Sequence, residues 1–533
     1  MNPTTLPRRS VGEWSFTSRT AYRSPFADVQ VDAVFTAPSG RRLAQPAFYD
    51  GDDVWRVRFN PGEAGSWRFE LISRPHDGEL TASGAFEVTE RDARGFLNAT
   101  PGRAWGFHFE NGEPAFILGD TVYDLFGMQY CGGDVAGFVR RRAEQGFNLL
   151  RVRLSVSRFH PPDGHCDWQT RRCWPWGGSE TAPRFDLMNL DWFRSVDQTV
   201  RMIDELGIGI EMIAEGWGFE FPFNHRAWFT AEWEELWLRY LIARYDAFTS
   251  VYFWTPLNEY EYYPNGDWHH TAVADRWAMR IGRWIKSVAP HGHVLAMHNG
   301  PRLPPFAERF RADPEAIDAI MFQDWGTRDA ERGWLAAGIE DAARSALEGW
   351  RGSAVLAEWG YERNPALELK LPSHEHCDRD HTRRGAWRGA FSGLGIIHGF
   401  ENSWSPWMIL GEDQPGLADL LIVRDFFTTI APFASLRPGA PVEGDHAHGE
   451  RPLVLVREDG GLTLYYLPAG GVVTARADKA RWFDPRSARI CDARPEGDGF
   501  RPPLQADPHG RPLDWILMLE DRPVPQAPSE DVT

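Results

Sequence analysis

Between residues 10 and about 92 apolar positions recur at every second residue: Val29, Val31, Ala33 and Phe35; Trp55, Val57 and Phe59; Trp67, Phe69 and Leu71. Period two marks strands with one buried face. Pro38-Ser-Gly40, Asp50-Gly-Asp52 and Asn60-Pro-Gly62 supply turns between them. The stretch therefore predicts a small β-sandwich, and no group of residues in it looks catalytic.

From about residue 100 the rhythm becomes strand, loop, helix. Ala115–Asp120 is an apolar run ending on an acid, and Val135, Phe138, Val139, Arg142 and Ala143 then follow helical spacing up to Gly146. Phe147–Arg153 is the next strand. A polar, tryptophan-bearing insertion (156–188) leads to a helix with Phe193, Val196, Val200, Ile203 and Leu206 on one face, stopped by Gly207. Strand 208–213, helix 232–247, strand 251–257 and helix 271–288 continue the alternation. Val294–Met297, Ala316–Phe322, Ala354–Ala357 and Gly395–Phe400 complete eight strand candidates.

Strands alternating with helices imply parallel βα units, and eight such units predict a closed (β/α)8 TIM barrel, an α/β fold, over residues 96–435. An open doubly wound sheet would want a glycine-rich phosphate loop after its first strand, which Gly119-Asp-Thr-Val-Tyr123 does not provide. After Leu436-Arg-Pro-Gly-Ala-Pro, short strands such as Leu453–Val456 and Leu462–Leu467 predict a C-terminal β-domain over 436–533, matching the N-terminal sandwich of 1–95 at the other end.

Two of the predicted strands end on glutamates: Val251-Tyr-Phe-Trp-Thr-Pro-Leu runs into Asn258-Glu259, and Val355-Leu-Ala into Glu358. A barrel keeps its chemistry at the C-terminal ends of its strands. Two carboxylates there are what glycoside hydrolysis needs, one to protonate the leaving oxygen and one to attack or stabilise the sugar cation. A single strand-end acid is as often a helix cap; the pair, with Asn258 before the first, points to chemistry. The remaining strand tips offer Asp120, Arg153, Glu215 with Trp217, His298, Gln323-Asp324-Trp325, and Glu401 with Trp404.

The net charge of −18 argues against nucleic acid and anionic membrane surfaces. No apolar run approaches the roughly 18 residues that span a bilayer. No apolar segment follows the basic N-terminal residues, so a cytoplasmic protein is expected, or a periplasmic or secreted one if a leader has been removed. Five cysteines suit reduced thiols, with a Cys166–Cys173 bridge as the alternative. Most of the 25 tryptophans belong to the core. No HExxH metal motif is present, and neither metal nor cofactor is expected. A homo-oligomer is left open.

The strand-four Asn258-Glu259 and strand-seven Glu358 resemble the retaining glycoside hydrolases of clan A. The opening strand Phe116-Ile-Leu-Gly-Asp-Thr-Val-Tyr123 resembles that of apiosidase-like barrel proteins, as do the flanking β-domains, including Trp482-Phe-Asp-Pro-Arg486. The resemblance implies a carbohydrate substrate, Glu259 as acid/base and Glu358 as nucleophile. The clan's frequent histidine near strand three is replaced by Glu215-Gly-Trp217, which leaves Glu215 and Asp120 as alternative acids.

On this reading Asn258 meets the sugar 2-OH, and Arg153 either pairs with Glu358 or forms a plain salt bridge. Trp404 and Trp217 are candidate sugar platforms or core residues. His298 touches sugar or nucleophile or sits satisfied in the core, Gln323 and Asp120 are hydroxyl ligands, and Glu261 is structural. The rival reading is a non-catalytic carbohydrate-binding barrel.

Overall fold

The computed structural model describes residues 2–155, 173–179, 181–267, 269–300, 304–329, 333–363, 376–400, 413–444, 446–447 and 449–521. At its centre eight parallel strands close on themselves. They are β1 (Leu118–Thr121), β2 (Leu149–Arg153), β3 (Gly209–Ile213), β4 (Val251–Thr255), β5 (Val294–Asn299), β6 (Ala319–Gln323), β7 (Ser353–Glu358) and β8 (Gly395–Phe400). Each pairs with its successor, and β1 pairs with β8 to seal the barrel. Helices α1 (Val135–Gln145), α2 (Leu190–Glu205), α3 (Ala231–Tyr245), α4 (Ala272–Val288), α5 (Ile339–Ala346), α6 (Arg379–Phe391) and α7 (Gly416–Asp425) are the longer helices among the described residues.

The period-two alternation of each strand sorts its residues between two cores. Ile117, Leu149, Phe253, Val294, Ala296, Ala319, Met321, Val355, Ala357 and Ile397 face the lumen and pack together. A hairpin of Leu97–Ala99 and Phe107–Phe109 joins the same cluster, so apolar side chains fill the barrel's lower half. Leu118, Leu150, Ile210, Leu295, Ile320 and Leu356 face outward onto the helices. With the lower lumen filled, polar lumenal side chains collect at the C-terminal ends of the strands.

On the N-terminal side, a five-stranded sheet built on Gly65–Arg74 and a three-stranded sheet built on Val54–Phe59 enclose Trp14, Phe35, Trp67 and Phe86. On the C-terminal side, a six-stranded sheet is built on Leu462–Leu467 and Trp515–Glu520. Two predictions are corrected here. The sixth strand begins at Ala319, because Pro314–Ala316 forms a tight 3-10 turn before it. The 156–188 insertion contains a hairpin of Trp176–Ser179 with Ala182–Met188, while 156–172 lies outside the described residues. Cys173 is buried with its Sγ 3.4 Å from that of Cys131, and Cys166, the other half of the alternative bridge, lies outside the described residues. No helix among the described residues is long and apolar enough to cross a membrane.

Candidate active site

β7 alternates through the lumenal Val355 and Ala357, so strict pleating would send Glu358 outward. A register shift against β6 between Phe322 and Gln323 pairs Gln323 with Glu358 and turns the carboxylate into the barrel mouth. Glu358 is buried. Its Oε1 accepts from the Tyr123 hydroxyl at 2.7 Å and from Arg151 Nη1 at 2.6 Å, and its Oε2 accepts from the Tyr361 hydroxyl at 2.8 Å. Burial and the Glu358 charge hold the Tyr361 hydroxyl well above its ordinary range; burial does the same for Tyr123. Both are proton donors to the carboxylate.

Glu259 follows β4 and begins a 3-10 turn, Tyr260–Tyr262, with φ +53° and ψ +62°. A non-glycine residue in this left-handed region costs about 1–2 kcal/mol, and such strain clusters where a side chain must be aimed. The side chain is half-buried. Its Oε1 accepts from Gln323 Nε2, and Gln323 Oε1 accepts from Trp325 Nε1 at 3.1 Å, which fixes the orientation of the amide. Burial first, and then the charges of Glu358 and Glu261, push the Glu259 carboxyl well above the usual carboxylate range.

His298 on β5 joins the two glutamates. The Glu259 backbone N–H donates to its Nδ1 at 3.3 Å, and its Nε2 lies 3.6 Å from Glu358 Oε1. Burial drives its pKa well below the ordinary value, so the ring is neutral. With Nδ1 accepting, the proton sits on Nε2, facing Glu358. Asn258 is buried against β3, its N–H donating to Gly216 O at 3.0 Å. Its Oδ1 accepts from Arg151 Nη2, while its Nδ2 has no acceptor among the described residues.

The structure thus gathers Glu259, Glu358, Asn258, His298 and Gln323 around one mouth. Other candidates sit elsewhere. Asp120 projects away from the lumen, out of phase with Ile117 and Gly119, and accepts from Arg142 Nε at 2.7 Å under α1. Arg153 does not reach Glu358: it pairs with Glu220 and lies 4.4 Å over the Trp217 ring. Trp217 also meets the Tyr123 ring edge-on at 5.0 Å and lies nearly parallel to Phe219. Glu215 is buried against Arg226 at 2.6 Å and pushed up to about 8 by burial, with Arg226 opposing; it faces α3 through Glu234, away from the other carboxylates. Glu261 is likewise buried and accepts from the Gly300 N–H. Trp404 and Glu401 lie outside the described residues.

Sequence reading missed Arg151, Tyr123, Tyr361 and Glu211. Arg151 shares the lumenal phase of Arg153, so the alternation of β2 already offered it. The tyrosines lie just beyond strand ends, where no period applies.

A family model described as "Apiosidase-like, catalytic domain" matches residues 106–414, more than half of the chain, and a domain of unknown function, DUF5060, matches residues 7–74. A solved structure from Bacteroides vulgatus ATCC 8482, described as a glycoside hydrolase, aligns with a TM-score of 0.69 at 16% identity, over 97% of this chain and 99% of its own. A family 5 glycoside hydrolase from the same organism aligns with a TM-score of 0.57 at 17% identity, over 80% of this chain and 94% of its own. At these identities the likeness is one of fold. No curated protein matches the chain.

Proposed function

The chain belongs to the apiosidase-like family and is a glycoside hydrolase, and from that premise we propose that it cleaves its glycosidic bond with retention, Glu358 attacking and Glu259 serving as acid and then base. The observation that carries the reading is the electrostatic split between the two carboxyls. Glu358 is surrounded by donors, Arg151, Tyr123 and Tyr361, with the Nε2–H side of His298 3.6 Å away. Glu259 has Gln323 alone as a side-chain partner among the described residues and is pushed toward its protonated form. Two carboxyls held apart in this way define an acid and a nucleophile.

The chemistry follows from the atoms. Oε1 of Glu358 already carries two strong donors, so Oε2, with Tyr361 alone, keeps a lone pair for the anomeric carbon. Gln323 occupies Oε1 of Glu259, leaving the proton on Oε2 to be given to the departing oxygen. Having given up that proton, Glu259 is a carboxylate; with Glu358 esterified, one cause of its raised pKa is gone, so it stays ionised until it deprotonates water. The Asn258 Nδ2–H group, lacking an acceptor among the described residues, is suited to a sugar hydroxyl next to the reacting carbon.

The test is hydrolysis of a panel of 4-nitrophenyl glycosides, with an apioside first, followed by NMR from the first turnovers. Retention of the anomeric configuration supports the double displacement; initial release of the inverted anomer rejects it.

A further inference from the structure

Beneath the site, one arginine is shared by two carboxylates. Arg151 is wholly buried, with Nη1 on Glu358 Oε1 at 2.6 Å and on the Tyr123 hydroxyl at 2.9 Å, and Nη2 on Asn258 Oδ1. Its remaining edge faces Glu211 of β3, whose Oε2 lies 3.4 Å from Nε. Glu211 is itself fully buried, and its Oε1 accepts from the Thr255 hydroxyl of β4 at 2.9 Å. Its register partner on β2 is Arg151 itself, so the two side chains lie side by side in the lumen. A carboxylate in the floor of a barrel is costly, and nothing in double displacement requires one there.

We propose that Glu211 is a positioning residue that competes with Glu358 for Arg151, keeping the nucleophile from being over-stabilised and serving as the counter-ion of Arg151 while Glu358 is esterified. The inference rests on Glu358 being the nucleophile. Before attack, Arg151 divides its attraction between two carboxylates, so Glu358 holds its electron pair less tightly than it would beside an undivided guanidinium. After attack, the Glu358 charge has been consumed in the new C–O bond. Glu211 then leaves Arg151 paired instead of buried as a lone cation. Burial and the Glu358 charge both press the Glu211 carboxyl upward, with Arg151 opposing. Removing the Glu358 charge relieves that pressure during the intermediate.

The ionisable groups facing this core are Tyr123 beyond β1, Arg151 on β2, Glu211 on β3, Glu259 after β4, the neutral His298 on β5, and Tyr361 beyond β7. With Glu358 at the end of β7, Glu211 is the other carboxylate among the described residues in contact with Arg151.

The test compares wild type, Glu211→Gln and Thr255→Val with an activated aryl glycoside of whichever sugar wild type turns over. Glu211→Gln removes a neighbouring negative charge, so Glu358 should ionise more readily. The acid limb of kcat/KM, which reports nucleophile ionisation, should move to lower pH by roughly half a unit or more. Glycosylation by the matching 2-deoxy-2-fluoro glycoside should slow about tenfold, because an over-stabilised carboxylate attacks poorly. Regeneration of the labelled enzyme should be spared or faster, since the unopposed Arg151 favours the departing carboxylate. Thr255→Val withdraws the donor that keeps Glu211 ionised and should shift the acid limb in the same direction by less. It serves as the readout if the glutamine variant does not fold. An acid limb that stays in place in both variants, or both steps slowing equally, would reduce Glu211 to a structural residue and overturn the proposal. A label found on a residue other than Glu358 would instead overturn the mechanism beneath it.

Discussion

The barrel mouth and the seams between the modules are both built from buried carboxyls and arginines, yet the two regions treat charge in opposite ways. At the N-terminal seam Asp197 of α2 accepts from Arg58 of the sandwich at 2.6 Å and from Arg244 of α3 at 2.6 Å. Its carboxyl is held far below the usual range, those guanidiniums overcoming the cost of burial. At the C-terminal seam Asp514 sits 3.0 Å from Arg383 of α6 and is lowered to about 2, burial again being outweighed by Arg383 and Arg384. In the mouth one arginine serves two carboxylates, and Glu259 is pushed upward by burial and by the charges of Glu358 and Glu261. Arginine in excess gives charges that stay put. Arginine in deficit gives carboxyls poised to exchange protons, and only the second condition is useful for catalysis.

If that contrast is right, removing a mouth carboxyl should cost rate, and removing a seam carboxyl should cost stability. Glu358→Gln should lower kcat by more than a thousandfold while leaving the thermal transition close to that of wild type; steady-state rates and calorimetry on one preparation check both halves. Glu259→Ala should cost poor leaving groups far more than activated aryl groups, which need little protonation. Azide should restore its turnover and yield a glycosyl azide of the starting configuration, read by NMR.

At the seam, Asp197→Ala takes away the carboxylate that two buried guanidiniums share, leaving Arg58 with Glu13 and Arg244 with Asp50, and should destabilise by about 3 kcal/mol, measured by chemical denaturation, with kcat per folded molecule little changed. The smallest effects concern pH, and the signs oppose. Asp514, depressed in the fold, contributes stability present above its unfolded value of about 3.9 and lost as pH falls toward about 2. Glu261, raised to about 8 by burial, does the reverse: stability falls as pH climbs from its unfolded value toward 8. Glu261→Gln keeps the acceptor for the Gly300 N–H and should flatten that alkaline loss in a series of melting curves.

The eight strands were readable because each is an apolar run whose two faces are both buried, one in the lumen and one under helices. Glu259 and Glu358 were readable as polar residues ending such runs. Their aim was not. Glu358 turns inward through a register shift, and Glu259 through a left-handed backbone, and neither leaves a trace in the hydrophobic pattern. Asp120 could have been excluded from the pattern itself, being out of phase with the lumenal residues of β1. Choosing Arg153 over Arg151 was a matter of depth: both face the lumen, but only Arg151 lies level with Glu358 and Asn258. Tyr123 follows β1, and Tyr361 lies in a two-residue strand, Tyr361–Glu362, paired with β8, and no local rule supplies the reach of either.

The central claim is that Glu358 forms the covalent bond to the sugar. Incubating wild type with a 2-deoxy-2-fluoro glycoside of the sugar it cleaves, followed by peptide mapping by mass spectrometry, tests it most directly. The account predicts a single glycosyl group esterified to Glu358, absent in Glu358→Gln; a label on Glu259 or Glu215, or turnover with no covalent adduct and an inverted product, would contradict it.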